Sequence, residues 1–369
     1  MRVATSHIVV AIVALAALVL PALTYAQAEA SWKTVLHDYG TFHETAGAQR
    51  CTFVVTNTGD SALVITRVQP TCGCTVADYT TEAIEPGATG SVNVVFTPTG
   101  RPGPFEKALW VYTNTAPSKT RLTIQGVVVG TPESVDKYYP EEVCDLRLTR
   151  SVLSAGEVNK GALRNSILSA YNATADTILL WFDNNTSHIN IIAKPDTIAP
   201  GNTSSISFYF DSSHTPLWGI NDDIVTMFTK PLGSSRDAMS APINLVANVV
   251  EDFSSLTNEE LANAPTCTVE PDKVVLENIS SGVRSSTIAT VKITNNGAGN
   301  LIVRRVMATD RALRVDVDKT LLHPGEQATV TLRVLPERLG SNVLNSQITI
   351  ISNDPANPRI TVRVVGTKR

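Results

Sequence analysis

Hydrophobic and polar positions alternate with a period of two in short runs along most of this chain. Cys51, Phe53 and Val55 share one parity, while Thr52, Val54 and Thr56 take the other. Ala289, Val291 and Ile293 repeat that inward set, and Ala328, Val330, Leu332 and Val334 alternate with Thr329, Thr331 and Arg333. Alternation of this kind over four to eight residues is the mark of a strand with one buried face. Asn, Gly, Pro and Asp separate the runs, as turns require. A helical period appears only in 254–264 (SSLTNEELANA), which predicts one or two turns of helix.

The runs recur as a unit. Phe53 to Gly59 (FVVTNTG), followed by Leu63-Val-Ile65, has its counterpart in Val291 to Gly297 (VKITNNG), followed by Leu301-Ile-Val303. Pro86-Gly87 and Pro324-Gly325 keep the same offset, and Asn114 answers Asn353 within one residue of it. A more diverged middle copy sets Asn172 against Asn295, Cys144 against Cys267 and Ala199-Pro200-Gly201 against His323-Pro324-Gly325. Repeats of about 100 residues built from short strands predict immunoglobulin-like sandwiches. The expected fold class is all-β: three tandem immunoglobulin-like β-sandwich domains at 31–131, 144–250 and 267–369. Polar, proline-bearing linkers are expected at 131–142 and 251–265, giving a semi-rigid row.

The residues ahead of the first repeat have a different character. Arg2 precedes an apolar run, Ile8 to Leu20, too short to cross a bilayer comfortably. Thr24-Tyr25-Ala26 and Ala26-Gln27-Ala28 then offer small residues for cleavage. Residues 1–28 are expected to be a secretory signal peptide cut near Ala26 or Ala28, with an uncleaved anchor as the alternative. The mature chain would be periplasmic or extracellular and without a transmembrane segment. Charged residues make up 17% of the chain and the formal net charge is -4, which gives no reason to expect nucleic acid or an anionic membrane as partner.

Candidate chemistry is sparse. Asn57, Gly59, Asn295 and Gly297 read as hairpin turns with positive φ near the glycine, and Pro86, Gly87, Pro324 and Gly325 as turns of the same plain kind. The sharpest local signal is Cys72-Gly73-Cys74. Those thiols are structural at the corner, or form an exchangeable disulfide with each other, or bind a soft metal, or one of them pairs with Cys51. Metal lacks partners, since His37 and His43 lie at no zinc spacing, and neither a metal nor a cofactor is expected. Five cysteines leave at least one free, and Cys144 and Cys267 read as equivalent thiols opening units two and three. No nucleophile-elbow, zincin, P-loop or dinucleotide motif is present, so an enzyme is not expected. Aromatic residues alternate at Trp110-Val-Tyr112 and Phe208-Tyr-Phe210, which most simply pack on core or flank.

The order F-x-x-x-N-T-G at Phe53 to Gly59, then Val64-Ile65, then Cys72-Gly73-Cys74-Thr75, then Pro86-Gly87 resembles the bacterial domain of unknown function numbered 1573. His37 to Phe42 is similar to that family's opening strand, and the resemblance covers roughly residues 32 to 130. The family is similar to immunoglobulin-like domains of the major-sperm-protein and hydin type. The resemblance implies a binding or spacer module and no activity. The expected function is an exported, non-catalytic binding or spacer protein, its partner an unknown protein or cell-envelope component. The alternatives are a thiol-disulfide or metal-handling domain using Cys72 and Cys74, and a carbohydrate-binding sandwich marked by exposure of Trp110, Trp181 or Trp218.

Overall fold

A computed structural model describes residues 26–183, 186–279 and 287–368. Residues 1–25, and with them the apolar run of the expected leader, lie outside the described residues. Six sheets pair into three sandwiches, each closed on its own apolar core. This is the all-β, three-sandwich architecture that the alternation predicts.

The first sandwich contains β1 (Ala30–Trp32), β2 (Leu36–His43), β3 (Gln49–Asn57), β4 (Ile65–Pro70), β5 (Thr75–Tyr79), β6 (Thr89–Phe96), β7 (Gly103–Thr113) and β8 (Lys119–Val129). One sheet runs β1-β3-β6-β5 and the other β2-β8-β7-β4. Phe53, Val55, Val92, Val94 and Phe96 of the first sheet are buried in one core with Leu109, Val111, Leu122 and Ile124 of the second. Burying each such side chain stabilises by roughly 1.5–3 kcal/mol. Cys51, inward by parity, is only half-buried.

The second sandwich contains β9 (Glu141–Val143), β10 (Leu146–Leu148), β11 (Val152–Asn159), β12 (Leu163–Tyr171), β13 (Ile178–Asp183), β14 (Ile189–Lys194), β15 (Thr197–Ile198), β16 (Thr203–Asp211), β17 (Gly219–Pro231) and β18 (Met239–Val250). Its sheets run β14-β16-β12-β10-β9 and β11-β18-β17-β13-β15. The third contains β19 (Cys267–Glu270), β20 (Lys273–Ile279), β21 (Ile288–Asn295), β22 (Leu301–Ala308), β23 (Leu313–Val317), β24 (Leu321–Leu322), β25 (Gln327–Val334), β26 (Val343–Ser352) and β27 (Arg359–Lys368). Its sheets run β19-β21-β25-β23 and β20-β27-β26-β22-β24. In every sandwich an early edge strand pairs in parallel with the last strand, and each pairing carries a register shift: β2 with β8, β11 with β18 and β20 with β27.

The chain divides into two compact units. Met1–Tyr138 with Pro200–Asn202 forms one, and Tyr139–Ala199 with Thr203–Arg369 forms the other. Within the second unit the two sandwiches are tied directly together. Arg304 makes a two-pronged ion pair with Glu251 at 2.7 and 3.1 Å, and its guanidinium stacks over Trp218. Arg305 donates to the carbonyls of Trp218 and Ile220.

A buried asparagine holds the same place in all three sandwiches. Asn57, Asn172 and Asn295 are each fully buried. Asn57 donates its amide to the carbonyls of Ser61 and Ile84, both at 2.8 Å, and accepts from the Gly59 N–H. Asn172 does the same with Asp176, Ile198 and Thr174, and Asn295 with Gly299, Leu322 and Gly297.

Three expectations are corrected here. The turns after Asn57 and Asn295 are not hairpins, because β3 and β4, like β21 and β22, lie in different sheets. Nor do Gly59 and Gly297 take positive φ; that conformation belongs to Gly87 and Gly325 in the Pro-Gly turns. Gly59 is glycine because the lead-in chain lies against it: a Cβ there would meet the Gln27 carbonyl at 2.1 Å. Cys144 is not the counterpart of Cys267. Cys267 pairs with Asn295, whereas Arg147 pairs with Tyr171, which puts the buried Leu146 beside Asn172. Cys144 sits instead between β9 and β10 at a φ of 54°.

The linkers are more ordered than their polarity implies. Thr257 and Glu260 form a reciprocal cap for a helix at Asn258–Ala262, where one or two turns were expected. A second helix, Pro132–Tyr138, falls in the first of the polar, proline-bearing linkers, where the sequence shows no helical period. Thr131 caps it through the Ser134 N–H, and Pro132 fits its first turn. Glu44, buried at the end of β2, accepts from Ser134 Oγ and from the N–H groups of Thr131 and Gly100.

Two outcomes follow from these contacts. Asn295→Ala leaves the Gly299 and Leu322 carbonyls and the Gly297 and Thr266 N–H groups without their partner, so the third sandwich should lose roughly 2–4 kcal/mol, read as a lower urea midpoint. Burial pushes the Glu44 carboxyl up, but the bonds from Ser134, Gly100 and Thr131 outweigh it and hold the group below its ordinary value. Its stabilisation is therefore present above the unfolded glutamate pKa of about 4.3 and drains as pH falls through the lower folded value. Glu44→Gln should flatten that acid limb in pH-dependent unfolding; an unchanged limb would show that Glu44 contributes nothing there.

Candidate functional site at the Cys72–Cys74 corner

The corner forms where the chain leaves one sheet for the other. β4 ends at Pro70, and Thr71 bonds the Ala108 carbonyl through its N–H at 3.0 Å and its hydroxyl at 2.9 Å. β5 begins at Thr75 in the opposite sheet, with the Cys74 carbonyl accepting from the Thr97 N–H at 3.0 Å. Between these anchors Cys72 and Cys74 form a disulfide, their Cα atoms 5.4 Å apart. Cys74 is buried, Cys72 is half-buried, and Gly73 is the exposed apex. The Thr75 hydroxyl lies 3.5 Å from the Cys72 sulfur and 3.8 Å from that of Cys74.

Of the pairings open in the sequence, the bridge to Cys51 is not made. Cys51 is free on β3, and β6 lies between β3 and β5. Two strand spacings of about 4.8 Å exceed the reach of a disulfide, whose Cα atoms lie within about 7 Å. Cys144 and Cys267 are also free. Burial raises the thiols of Cys51 and Cys144 above their ordinary value and pushes Cys267 up to about 11. A thiol raised in this way is mostly protonated at neutral pH and a poor nucleophile.

Among the described residues no three His, Cys, Asp or Glu side chains converge on a point where a metal ion would sit. Asp211, Ser213 and His214 do meet, which sequence reading missed because they crowd one short turn. Their geometry is not that of a triad: Ser213 Oγ and Asp211 Oδ2 approach the same ring nitrogen, Nδ1, at 3.1 and 2.8 Å. A triad needs its serine and aspartate on opposite nitrogens. Phe208 and Phe210 are core residues, whereas Trp110 and Tyr112 lie half-buried on the outer face. Lys119 sits 3.9 Å over the Trp110 ring, and Arg67 4.2 Å over Tyr112. Trp218 is stacked under Arg304, while Trp181 is 41% exposed and lies parallel to Phe228.

A second feature occurs twice. In the third sandwich Val275, Val343 and Val365 surround a hollow of about 510 Å³ against Gly366, with Glu277 and Arg363 at its margin. In the first, Pro104, Phe105 and Val127 surround one of about 520 Å³ against Gly126, with Asp38, Glu106 and Gln125 at its margin. Both lie where the shifted parallel edge strand passes the last strand. A Cβ on Gly126 would come within 2.9 Å of the Gly40 carbonyl, and one on Gly366 within 2.9 Å of the Leu276 carbonyl. The signal in the sequence is a glycine late in each terminal strand run, Gly126 and Gly366.

These sandwiches define an immunoglobulin-like class of module. Residues 30–128 match the family described as protein of unknown function DUF1573, and residues 265–367 match the HYDIN/CFA65/VesB-like immunoglobulin-like domain. No curated protein matches the chain. Among solved structures, a protein of unknown function from Porphyromonas gingivalis W83 is similar at 17% identity and a TM-score of 0.48, covering 60% of this chain and 99% of its own. The ASH/PapD-like domain 7 of human CEP192 is similar at 10% identity and 0.26, covering 31% and 92%. An endo-fucoidan hydrolase of glycoside hydrolase family 107 is similar at 10% and 0.25, covering 93% and 44%. At these identities and TM-scores they carry no argument about function.

A disulfide that closes so short a loop removes little freedom from the unfolded chain. Cys72→Ser/Cys74→Ser should therefore change unfolding stability by less than about 2 kcal/mol. Thiol titration of the denatured, unreduced protein should count the three free cysteines, rising to five after reduction. A large loss of stability in the double variant would make the bridge a structural staple.

Proposed function

We propose that this chain is an exported, non-catalytic binding or spacer protein of a bacterial cell envelope, and that it contacts a protein partner through the hollow of its first or third sandwich. The recurrence of one hollow, in one place on two copies of the fold, carries this reading. β2 and β20 are edge strands of their sheets, so an extended partner segment has free backbone to pair with beside each hollow. Val275 and Val343 are 58% and 56% exposed, an apolar pair at the mouth. The match of both outer sandwiches to families of unknown-function and immunoglobulin-like modules supports a binding or spacer role over catalysis.

A second reading rests on the Cys72–Cys74 bridge. A disulfide that adds little stability retains exchange with a partner thiolate as its chemistry: the thiolate bonds one sulfur and the other leaves as thiolate.

The test places a photo-crosslinking residue at Val275, at Val343 or, as a control, at Ile224, which is equally exposed on the second sandwich. In cells exporting the chain, the first two positions should capture one partner that Ile224 does not, and Val275→Glu/Val343→Glu should lose it. Equal capture at all three positions, or substrate turnover by the purified mature chain, would overturn the proposal.

A further inference from the structure

The sequence offers two leader cuts, and Ala26-Gln27-Ala28 has the better pair of small residues for a cut after Ala28. The fold argues for the other. Gln27 to Glu29 form part of the first sandwich. The Gln27 carbonyl accepts from the Asp60 N–H at 3.2 Å, and the Glu29 carbonyl from Thr58 at 2.9 Å. Ala28 is buried in the core, and the chain here lies so close to Gly59 that no side chain fits between. Ala26 and Gln27 are exposed.

The third sandwich repeats this lead-in where no cut is in question. Ala264, Pro265 and Thr266 lie against Gly297 as Gln27, Ala28 and Glu29 lie against Gly59. The Thr266 carbonyl accepts from Asn296 at 2.9 Å, and that of Ala264 from Gly299 at 3.4 Å. Three residues ahead of the first strand thus belong to the module itself. A cut after Ala28 would strip two of them from the first sandwich.

We propose that the processing site is the Ala26–Gln27 bond, and that the cut completes the fold. Gln27 N lies 2.5 Å from Asp60 Oδ1. In the uncut chain that nitrogen is a neutral amide. Hydrolysis of the bond makes it an α-ammonium, and the contact becomes a charge-assisted hydrogen bond to a carboxylate. The inference rests on the export reading.

Two measurements test it. The full-length chain is expressed in an exporting bacterial host, and the N-terminal peptide of the secreted product is read by mass spectrometry, which identifies Gln27 whether or not it has cyclised. Gln27 as first residue is the expected result. Glu29 as first residue, or an exported but uncut chain, overturns the inference and leaves the export reading standing. A full-length chain retained in the cytoplasm overturns both. Separately, otherwise complete chains made to start at Gln27 and at Glu29 are compared by hydrogen exchange. The Asp60 amide, which loses its acceptor in the shorter chain, should exchange roughly tenfold faster there; equal rates would overturn the structural argument.

Discussion

Each sandwich depends on one fully buried asparagine. The site must supply two N–H donors to carbonyls on separate chain segments and one acceptor to a backbone N–H. A carboxylate has no donors, and a glutamine would hold the same groups one methylene too far out. Asn57, Asn172 and Asn295 meet the requirement with the same three kinds of partner. What they fix is a crossing. β3 and β21 end here, and the chain passes to the other sheet. The backbone carbonyls of Asn57 and Asn295 also accept from Gly87 and Gly325, so the Pro-Gly turns are pinned to the same residues. An unpaired polar group at this depth is costly, so a chain with no disulfide across its sheets still has one defined register at each crossing.

That logic explains which parts of the fold were legible in the sequence. Alternation is local: Phe53 and Val55, or Val330 and Leu332, declare their shared face without knowledge of the partner strand. The Asn and Pro-Gly recurrences were legible as repeats. Their meaning was not, because Asn-Thr-Gly is equally good chemistry for a hairpin, and only the partner of β3 decides between hairpin and crossing. Gly59 shows the limit most plainly. Its reason is the lead-in backbone at 2.1 Å, a contact with residues thirty positions away that no local pattern encodes. Cys144 misled for the opposite reason. A matching residue type two positions out of register looked like an equivalence, whereas the ladder assigns the place to Leu146. The helix at Pro132–Tyr138 was hidden by its brevity, although Thr131-Pro132 is a fair start signal.

The Cys72–Cys74 corner stands apart from this scaffold. It lies at another sheet crossing, from β4 to β5, yet the third sandwich makes the corresponding passage, from β22 to β23, with no disulfide. The crossing itself therefore does not require the bridge. Its anchors are the backbone bonds of Thr71 and Cys74, which any residue at those positions supplies. The three remaining thiols are free and raised by burial, whereas the corner pair is oxidised, with Cys72 half-buried beside the exposed Gly73.

The two hollows extend the same separation between scaffold and particular chemistry. Their position follows from the backbone: an edge strand shifts register as it passes the last strand, and a glycine lets it approach. Their linings do not follow from it. One presents Val275 and Val343 with Glu277 and Arg363 beside them, and the other Phe105 and Val127 with Asp38 and Glu106. Val275 and Val343 are exposed, so substituting them leaves the Asn clamp, the core and the pairing untouched, whereas Phe105 also stacks on the buried Phe96 and ties its hollow to the core. A fold built this way keeps the hollow constant while its lining changes, and the two outer sandwiches carry two different linings.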